Sequence, residues 1–166
     1  MKRHIQHTSQ VTVYDSLDEL PQDQKDLMDF AKKALPSSYS PYSGFQVASA
    51  LKLESGQIVL GSNQENIAYP SGLCAERVAI FSAGTNFKGL QIKAIAITAN
   101  SANGNVSNPI TPCGSCRQVM IEIEHTQQEP ITVIMTGSEG EVWVANSIKD
   151  LIPFYFTSDR VNRNTE

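Results

Sequence analysis

Cysteine is scarce in this chain, three among 166 residues, and the odd count fits metal ligation in a reducing compartment better than a disulfide framework. Long apolar runs are missing, and nothing approaches the roughly 20 residues needed to span a bilayer. Met1 to Gln10 is polar and lacks the apolar core of a signal peptide. A soluble, cytoplasmic protein without membrane contacts is therefore expected. Basic clusters are missing too. The 13 Lys and Arg are scattered, with no group longer than Lys32-Lys33, and the formal net charge is −4. A groove that tracks phosphates needs a basic stripe, so nucleic acid is not expected as a partner. Repeats and composition-marked linkers are absent. At 40% hydrophobic residues the chain can fill one core, with little room for a second domain.

What is present reads as a single α/β domain. Residues 1–20 look like an N-terminal extension in which Val11 to Tyr14 can form a short strand. Asp18 to Leu35 carries Pro21 near its first turn and Leu27, Phe30, Ala31 and Ala34 at helical spacing, which predicts a helix stopped by Pro36. Ser37 to Gly44 is a loop by its Ser, Pro and Tyr content. Val47 to Leu53 and Ile58 to Leu60 predict a hairpin turning at Ser55-Gly56. A second helix is predicted from about Cys74, with Ala75, Val78, Ala79 and Ala83 on one face and Gly84 at its end. In Ile92 to Ala99 the large Ile95 and Ile97 alternate with the small Ala94 and Ala96, which suits a strand covered by helices on both faces. A third helix is predicted from about Cys113 to Glu124. Ile131 to Met135 and Glu141 to Val144 are too close for a parallel crossover and should pair antiparallel. Ile148 to Ile152 looks like a last helical turn. The domain is expected over 21–158 around a mixed sheet, with 159–166 as a tail.

The three cysteines carry the chemistry. Cys74-Ala75-Glu76 is followed downstream by Pro112-Cys113-Gly114-Ser115-Cys116. Three thiolates can hold zinc while leaving its fourth position open for water, and a carboxylate beside them can take the proton of that water. Cys113 and Cys116, at i and i+3, lie on one side of a helical turn, so both reach one ion. Cys74 and Glu76 do not share a helix face and can meet in one cavity only at the helix end. Both cysteine segments are predicted where a loop enters a helix, where N–H groups and the helix dipole favour thiolates. Arg77 is expected to donate to a zinc-bound sulfur, the other reading being a surface salt bridge. A closed structural site would need a fourth ligand. His125 lies nine residues past Cys116, roughly 13 Å along a continuous helix, and is out of reach. His4 and His7 belong to the N-terminal segment. A CxxC pair can also be redox-active, but that leaves Cys74 and Glu76 without a role.

These residues match the zinc nucleobase-deaminase signature, and the chain resembles the small cytidine deaminases from about Tyr39 to Phe156. The resemblance runs through Tyr39-Ser40-Pro41-Tyr42-Ser43 with Phe45, Asn63-Gln64-Glu65-Asn66 and Cys74-Ala75-Glu76-Arg77. It continues with Pro112-Cys113-Gly114-Ser115-Cys116-Arg117-Gln118, Leu151-Ile152-Pro153 and Phe156. It implies a three-layer α-β-α domain with a five-stranded mixed sheet and one Zn2+ per subunit. It also implies deamination of cytidine and 2′-deoxycytidine to uridine and 2′-deoxyuridine in pyrimidine salvage. In that family Asn63 and Glu65 would hold the ribose 3′-hydroxyl, Phe45 would pack by the pyrimidine, and the Ala75 N–H would bind the 2-keto oxygen. Phe156 would enter a neighbouring subunit's site, which implies a homotetramer. Glu76 would move protons between water, ring nitrogen 3 and the departing amine. Departures from the family pattern are Gln64, Ser49 and the bulky Phe154-Tyr155. Two other readings stay open: a deaminase of a cytosine-containing antibiotic such as blasticidin S, and a zinc-stabilised interaction module without catalysis.

Overall fold

The computed structural model describes residues 2–157, so the expected tail at 159–166 lies outside the described residues. The first helix, α1 (Gln22–Ala34), begins after Pro21, which sits at its N-cap. Leu17–Glu19 is a separate short 3-10 turn rather than part of α1. Leu27, Met28, Ala31 and Ala34 are its buried residues, whereas Phe30, expected on the core face, is 41% exposed. The buried stripe runs through Met28 instead.

The strands are β1 (Thr12–Tyr14), β2 (Phe45–Leu53), β3 (Ile58–Ser62), β4 (Ile92–Ser101), β5 (Thr132–Thr136) and β6 (Val142–Ala145). They form one mixed sheet in the order β1-β6-β5-β4-β2-β3. The β4–β5 pair is parallel and the others are antiparallel. Five strands were expected, and β1 is the sixth. Its three residues pair with Val142 to Val144, closing an edge that a five-stranded sheet would leave open. The turn between β2 and β3 contains Gly56 at φ +84, a conformation that suits glycine.

The alternation along β4 sets the layers. Ile95 and Ile97 face one core, with Leu51, Leu53, Ile80, Met120 and Ile121. Ala94 and Ala96 face the other, where α1 packs Leu27, Met28 and Ala31 over Ala50 and Ile134. Small residues in β2 and β4 let α1 approach closely. Larger ones fill the wider space beneath α2 (Ala75–Asn86) and α3 (Gly114–Gln127), the parallel crossover between β4 and β5. Gly84, read as a terminator, lies inside α2, which runs two residues further. Helical glycine costs about 1 kcal/mol relative to alanine, too little to stop a helix held by packing.

Two contacts anchor the helices that matter for the site. A Cβ on Gly61 of β3 would lie 2.4 Å from the Ala75 carbonyl oxygen and 2.5 Å from the Ala79 nitrogen, so α2 rests on the bare backbone of β3. At the far end of α3, the buried Glu124 carboxylate accepts from the N–H groups of Ile131 and Ile148, both at 2.8 Å, and from the Ser147 hydroxyl. It therefore ties α3 to the start of β5 and to the short turn Ile148–Asp150. No helix among the described residues is long and apolar enough to cross a membrane.

Gly61→Ala is expected to destabilise the fold by about 1–3 kcal/mol, the range for overpacking a filled core. A lowered urea midpoint at unchanged slope is the measurement that checks it.

Candidate active site

The starts of α2 and α3 meet at one place. Cys74 is the N-cap of α2, Cys113 is the N-cap of α3, and Cys116 lies in the first turn of α3. N-caps usually carry Ser, Thr, Asp or Asn, whose oxygens bond the free N–H groups. Here neither cysteine makes a side-chain cap bond, so both sulfurs are free to turn toward each other. The Cys74 and Cys113 sulfurs are 3.8 Å apart and those of Cys113 and Cys116 3.5 Å apart. All three lie within 4.8 Å of one another, and among the described residues this is the one such group able to hold a metal.

That spacing is a direct test of fit. Three sulfurs at Zn–S bonds of about 2.3 Å and tetrahedral angles are separated by about 3.8 Å. The donor set is soft and thiolate-rich, as zinc prefers, and all three cysteines are free thiols. His125 sits in the last turn of α3, at the opposite end from Cys116. The fourth position thus has no protein donor in the cluster.

The electrostatics favour a thiolate at Cys74, the start of α2. The Cys74 thiol is lowered to about 5, chiefly by the hydrogen bond from Cys116 and further by Arg77. Cys116 is pushed up by the same bond and by burial. Arg77 donates from Nη2 to the Cys74 sulfur at 3.7 Å, and its Nε is buried without a partner. Glu76 is buried, and burial raises its pKa, with the Cys74 charge acting in the same direction.

Cys74, Glu76 and Cys113 are among the residues lining a cleft of about 590 Å³, a size suited to a small organic molecule. Asn63 and Glu65 line it as well. Residues 63–65 are laced by backbone bonds to Tyr39 on one side and Leu73 on the other. Asn63 Oδ1 accepts from the Val47 N–H (2.8 Å) and the Ser38 hydroxyl, and Nδ2 donates to the Phe45 carbonyl. One Nδ2 hydrogen remains for a ligand, so Asn63 also clamps the start of β2. Glu65 accepts from the Tyr42 and Ser43 N–H groups. The Ser43 hydroxyl and these N–H groups hold its carboxyl below the usual range, as a charged acceptor.

Other expected residues fall elsewhere. Ala75 is fully buried and is not among the lining residues, although its N–H sits at the helix start, where no intrahelical acceptor exists. Phe45 is not in the cleft. It pairs with Ser101 at the end of the sheet and borders a separate hollow with the 101–110 loop, while Val47, two residues along the same strand face, meets the cleft instead. Phe156 is 62% exposed and lies outside its own chain's cleft.

Sequence reasoning assigned no role to several lining residues. Tyr42 and Tyr69 stand edge to face at the cleft rim, with ring centroids 6.0 Å apart. Their only trace was an aromatic-rich loop composition. Arg117 sits beneath the site and donates to the Pro112 carbonyl (2.7 Å), the Leu151 carbonyl (2.6 Å) and the Thr111 hydroxyl (3.2 Å). It fastens the strand-to-helix loop that delivers Cys113. An arginine directly after a cysteine pair was the available signal.

Comparison with known proteins points the same way. Residues 21–129 match the family described as the cytidine and deoxycytidylate deaminase zinc-binding region. The chain is 34% identical over 140 residues to a cytidine deaminase of Halalkalibacterium halodurans, covering 84% of this chain and 98% of that one. It is also 34% identical over 145 residues to a cytidine deaminase of Sporosarcina psychrophila, covering 87% and 98% respectively. Among solved structures, a cytidine deaminase from Burkholderia pseudomallei superposes with a TM-score of 0.69 at 37% identity, covering 82% of this chain and all of that one.

Cys113→Ser is expected to weaken zinc binding by more than about 100-fold, beyond what loss of an outer-shell partner costs. Competition with a chromophoric chelator measures this. Stripping zinc from the unaltered protein should also lower its melting temperature, because metal binding contributes directly to folding.

Proposed function

This chain belongs to the cytidine and deoxycytidylate deaminase family, and from that premise we propose that it hydrolyses cytidine and 2′-deoxycytidine to uridine and 2′-deoxyuridine, releasing ammonia. The observation that carries the reading is three clustered sulfurs able to hold a metal beside a buried carboxylate in the lining of a small-molecule cleft. Zinc bound by Cys74, Cys113 and Cys116 supplies Lewis acidity, which brings the pKa of a water toward neutrality. Glu76 is the proton carrier. Its burial keeps its proton affinity above that of an ordinary carboxyl, so it can take a proton from water and release it again within one turnover. It accepts that proton as water attacks carbon 4 of the ring, and gives one to ring nitrogen 3. It then takes the remaining proton from the oxygen added at carbon 4 and passes it to the exocyclic amine, which leaves as ammonia while that oxygen stays on carbon 4 as the carbonyl. Atoms balance as nucleoside plus water giving the uracil nucleoside plus ammonia.

The rest of the cleft selects the substrate. Asn63 retains one amide hydrogen and Glu65 is a charged acceptor, a pair suited to a sugar hydroxyl that both accepts and donates. The Ala75 N–H, at the start of α2, is assigned to the 2-keto oxygen of the base. No Lys, Arg or His is among the described residues lining the cleft, so a 5′-phosphate would find no counter-charge there. Free nucleosides are therefore favoured over nucleotides. Phe156, exposed on its own chain, is assigned to the site of a neighbouring subunit in a homotetramer. Three clustered free thiols suit the reducing cytoplasm. Residues 1–20 precede the matched region and join its domain through β1 and the buried Leu20.

Glu76→Gln should keep one zinc per subunit and lose turnover by at least about 100-fold. The test follows ultraviolet absorbance with cytidine, deoxycytidine, cytidine 5′-monophosphate and a cytosine-containing oligonucleotide in parallel, with zinc counted by elemental analysis. Near-normal turnover in the variant would refute the role of Glu76. Absorbance loss with the oligonucleotide would refute the nucleoside assignment.

A further inference from the structure

Residues 7–14 lie outside the matched region, which begins at residue 21, and their hydrogen bonds and ring contact reach β6 and the chain just after it. β1 runs along β6, with Val13 opposite Trp143. Upstream of it, the Gln10 N–H donates to the Asp150 carboxylate at 3.3 Å, and His7 Nε2 lies 3.0 Å from the Lys149 carbonyl. The His7 ring also packs on Phe154, with centroids 6.2 Å apart. Lys149 and Asp150 belong to the turn from which residues 151–157 depart, so two of these contacts act on the base of the segment that carries Phe156 and the third on the segment itself.

That segment needs such support. Phe154 has φ +52, a conformation that bulky side chains rarely adopt and that persists only where surrounding contacts hold it. From within the domain, Arg117 bonds the Leu151 carbonyl before it and Gln118 bonds the Phe156 carbonyl after it. At Phe154 itself the ring contact comes from His7. Phe156 is two residues, roughly 7 Å of extended chain, beyond that strained position. A modest rotation at Phe154 therefore moves the Phe156 ring by several ångströms, more than a stacking contact tolerates.

We infer that residues 7–14 form a strap that positions the C-terminal aromatic segment, so that His7 and Gln10 act on substrate affinity through Phe156. The inference rests on the role proposed above for Phe156 in a neighbouring subunit. His7 and Gln10 are positioning residues and touch no cleft residue in the contacts just described. The strap differs from a merely stabilising edge strand in one respect. Its loss should change KM rather than kcat, and only while the Phe156 ring is present.

The test is a double-mutant cycle on the full chain with cytidine as substrate. The strap variant, His7→Ala with Gln10→Pro, removes the ring contact and the backbone donor and leaves β1 itself intact. Phe156→Ala should raise KM about fivefold or more, the lower end of what an aromatic stacked on a base contributes. The strap variant should raise KM about threefold or more with kcat within about twofold, and should add nothing in the absence of the Phe156 ring. Emission of Trp143, the single tryptophan, should stay unchanged and so report that β1 is still paired. If Phe156→Ala keeps the normal KM, the role of Phe156 falls and the strap falls with it. If Phe156→Ala raises KM but the strap variant does not, or raises it equally with and without Phe156, only the strap falls. Should Trp143 emission shift, Asp150→Ala removes the acceptor without altering any N-terminal residue and is held to the same outcomes.

Discussion

Three sulfur atoms must sit about 3.8 Å apart around one point, and that requirement organises much of this structure. Helix starts are the parts of a chain where such convergence is cheapest, because their first N–H groups lack partners and attract negative charge. The protein brings two of them together, with cysteines at both N-caps and a third in the first turn of α3. α2 is supported by bare backbone and α3 by buried or part-buried charged side chains. α2 rests directly on Gly61, and the loop leading to α3 is fastened by Arg117 through two carbonyls and a hydroxyl. Small displacements of either support would move a sulfur out of reach.

The same convergence sets the electrostatics. Burying Glu76 beside thiolates raises its proton affinity, while Arg77 draws charge away from the Cys74 sulfur. A carboxyl in that setting suits the transfer of protons in both directions within one reaction cycle. Elsewhere in the cleft lining the setting is opposite. The Ser43 hydroxyl and the Tyr42 and Ser43 N–H groups hold the Glu65 carboxyl below the usual range, as a charged acceptor. Two glutamates, Glu65 and Glu76, are thus tuned in opposite directions by donors and by burial.

The sheet explains why the flanking parts of the chain matter. Glu124 ties the end of α3 to β5 and to the turn that launches the C-terminal segment. β1 closes the β6 edge, and the residues before it reach that same turn. The C-terminal aromatics are therefore held from the N-terminal residues and from α3. A segment of this kind can be adjusted without disturbing the zinc-binding helices.

Spacing alone made the cysteines, Glu76, the helix starts and the covered strand at Ile92 to Ala99 legible. These are local properties, set by a few covalent steps or by the period of a strand. The alternation of Ile and Ala in β4 even carried the difference between the two cores, close packing of α1 and wider packing of α2 and α3. Contacts between distant segments had no such trace. Only the fold turned Phe45 away from the cleft in favour of Val47, gave Asn63 its second task as a clamp on β2, and added β1 as a sixth strand. It also placed Gly84 within α2 and exposed Phe30, because packing outweighs a propensity difference of about 1 kcal/mol. By itself, then, the sequence determined which atoms can hold the metal and move the proton, since those depend on residue type and near-neighbour spacing. The distances among three sulfurs, the burial of Glu76 and the partners of each cleft wall were decided by tertiary packing, because they join segments that only the sheet brings together.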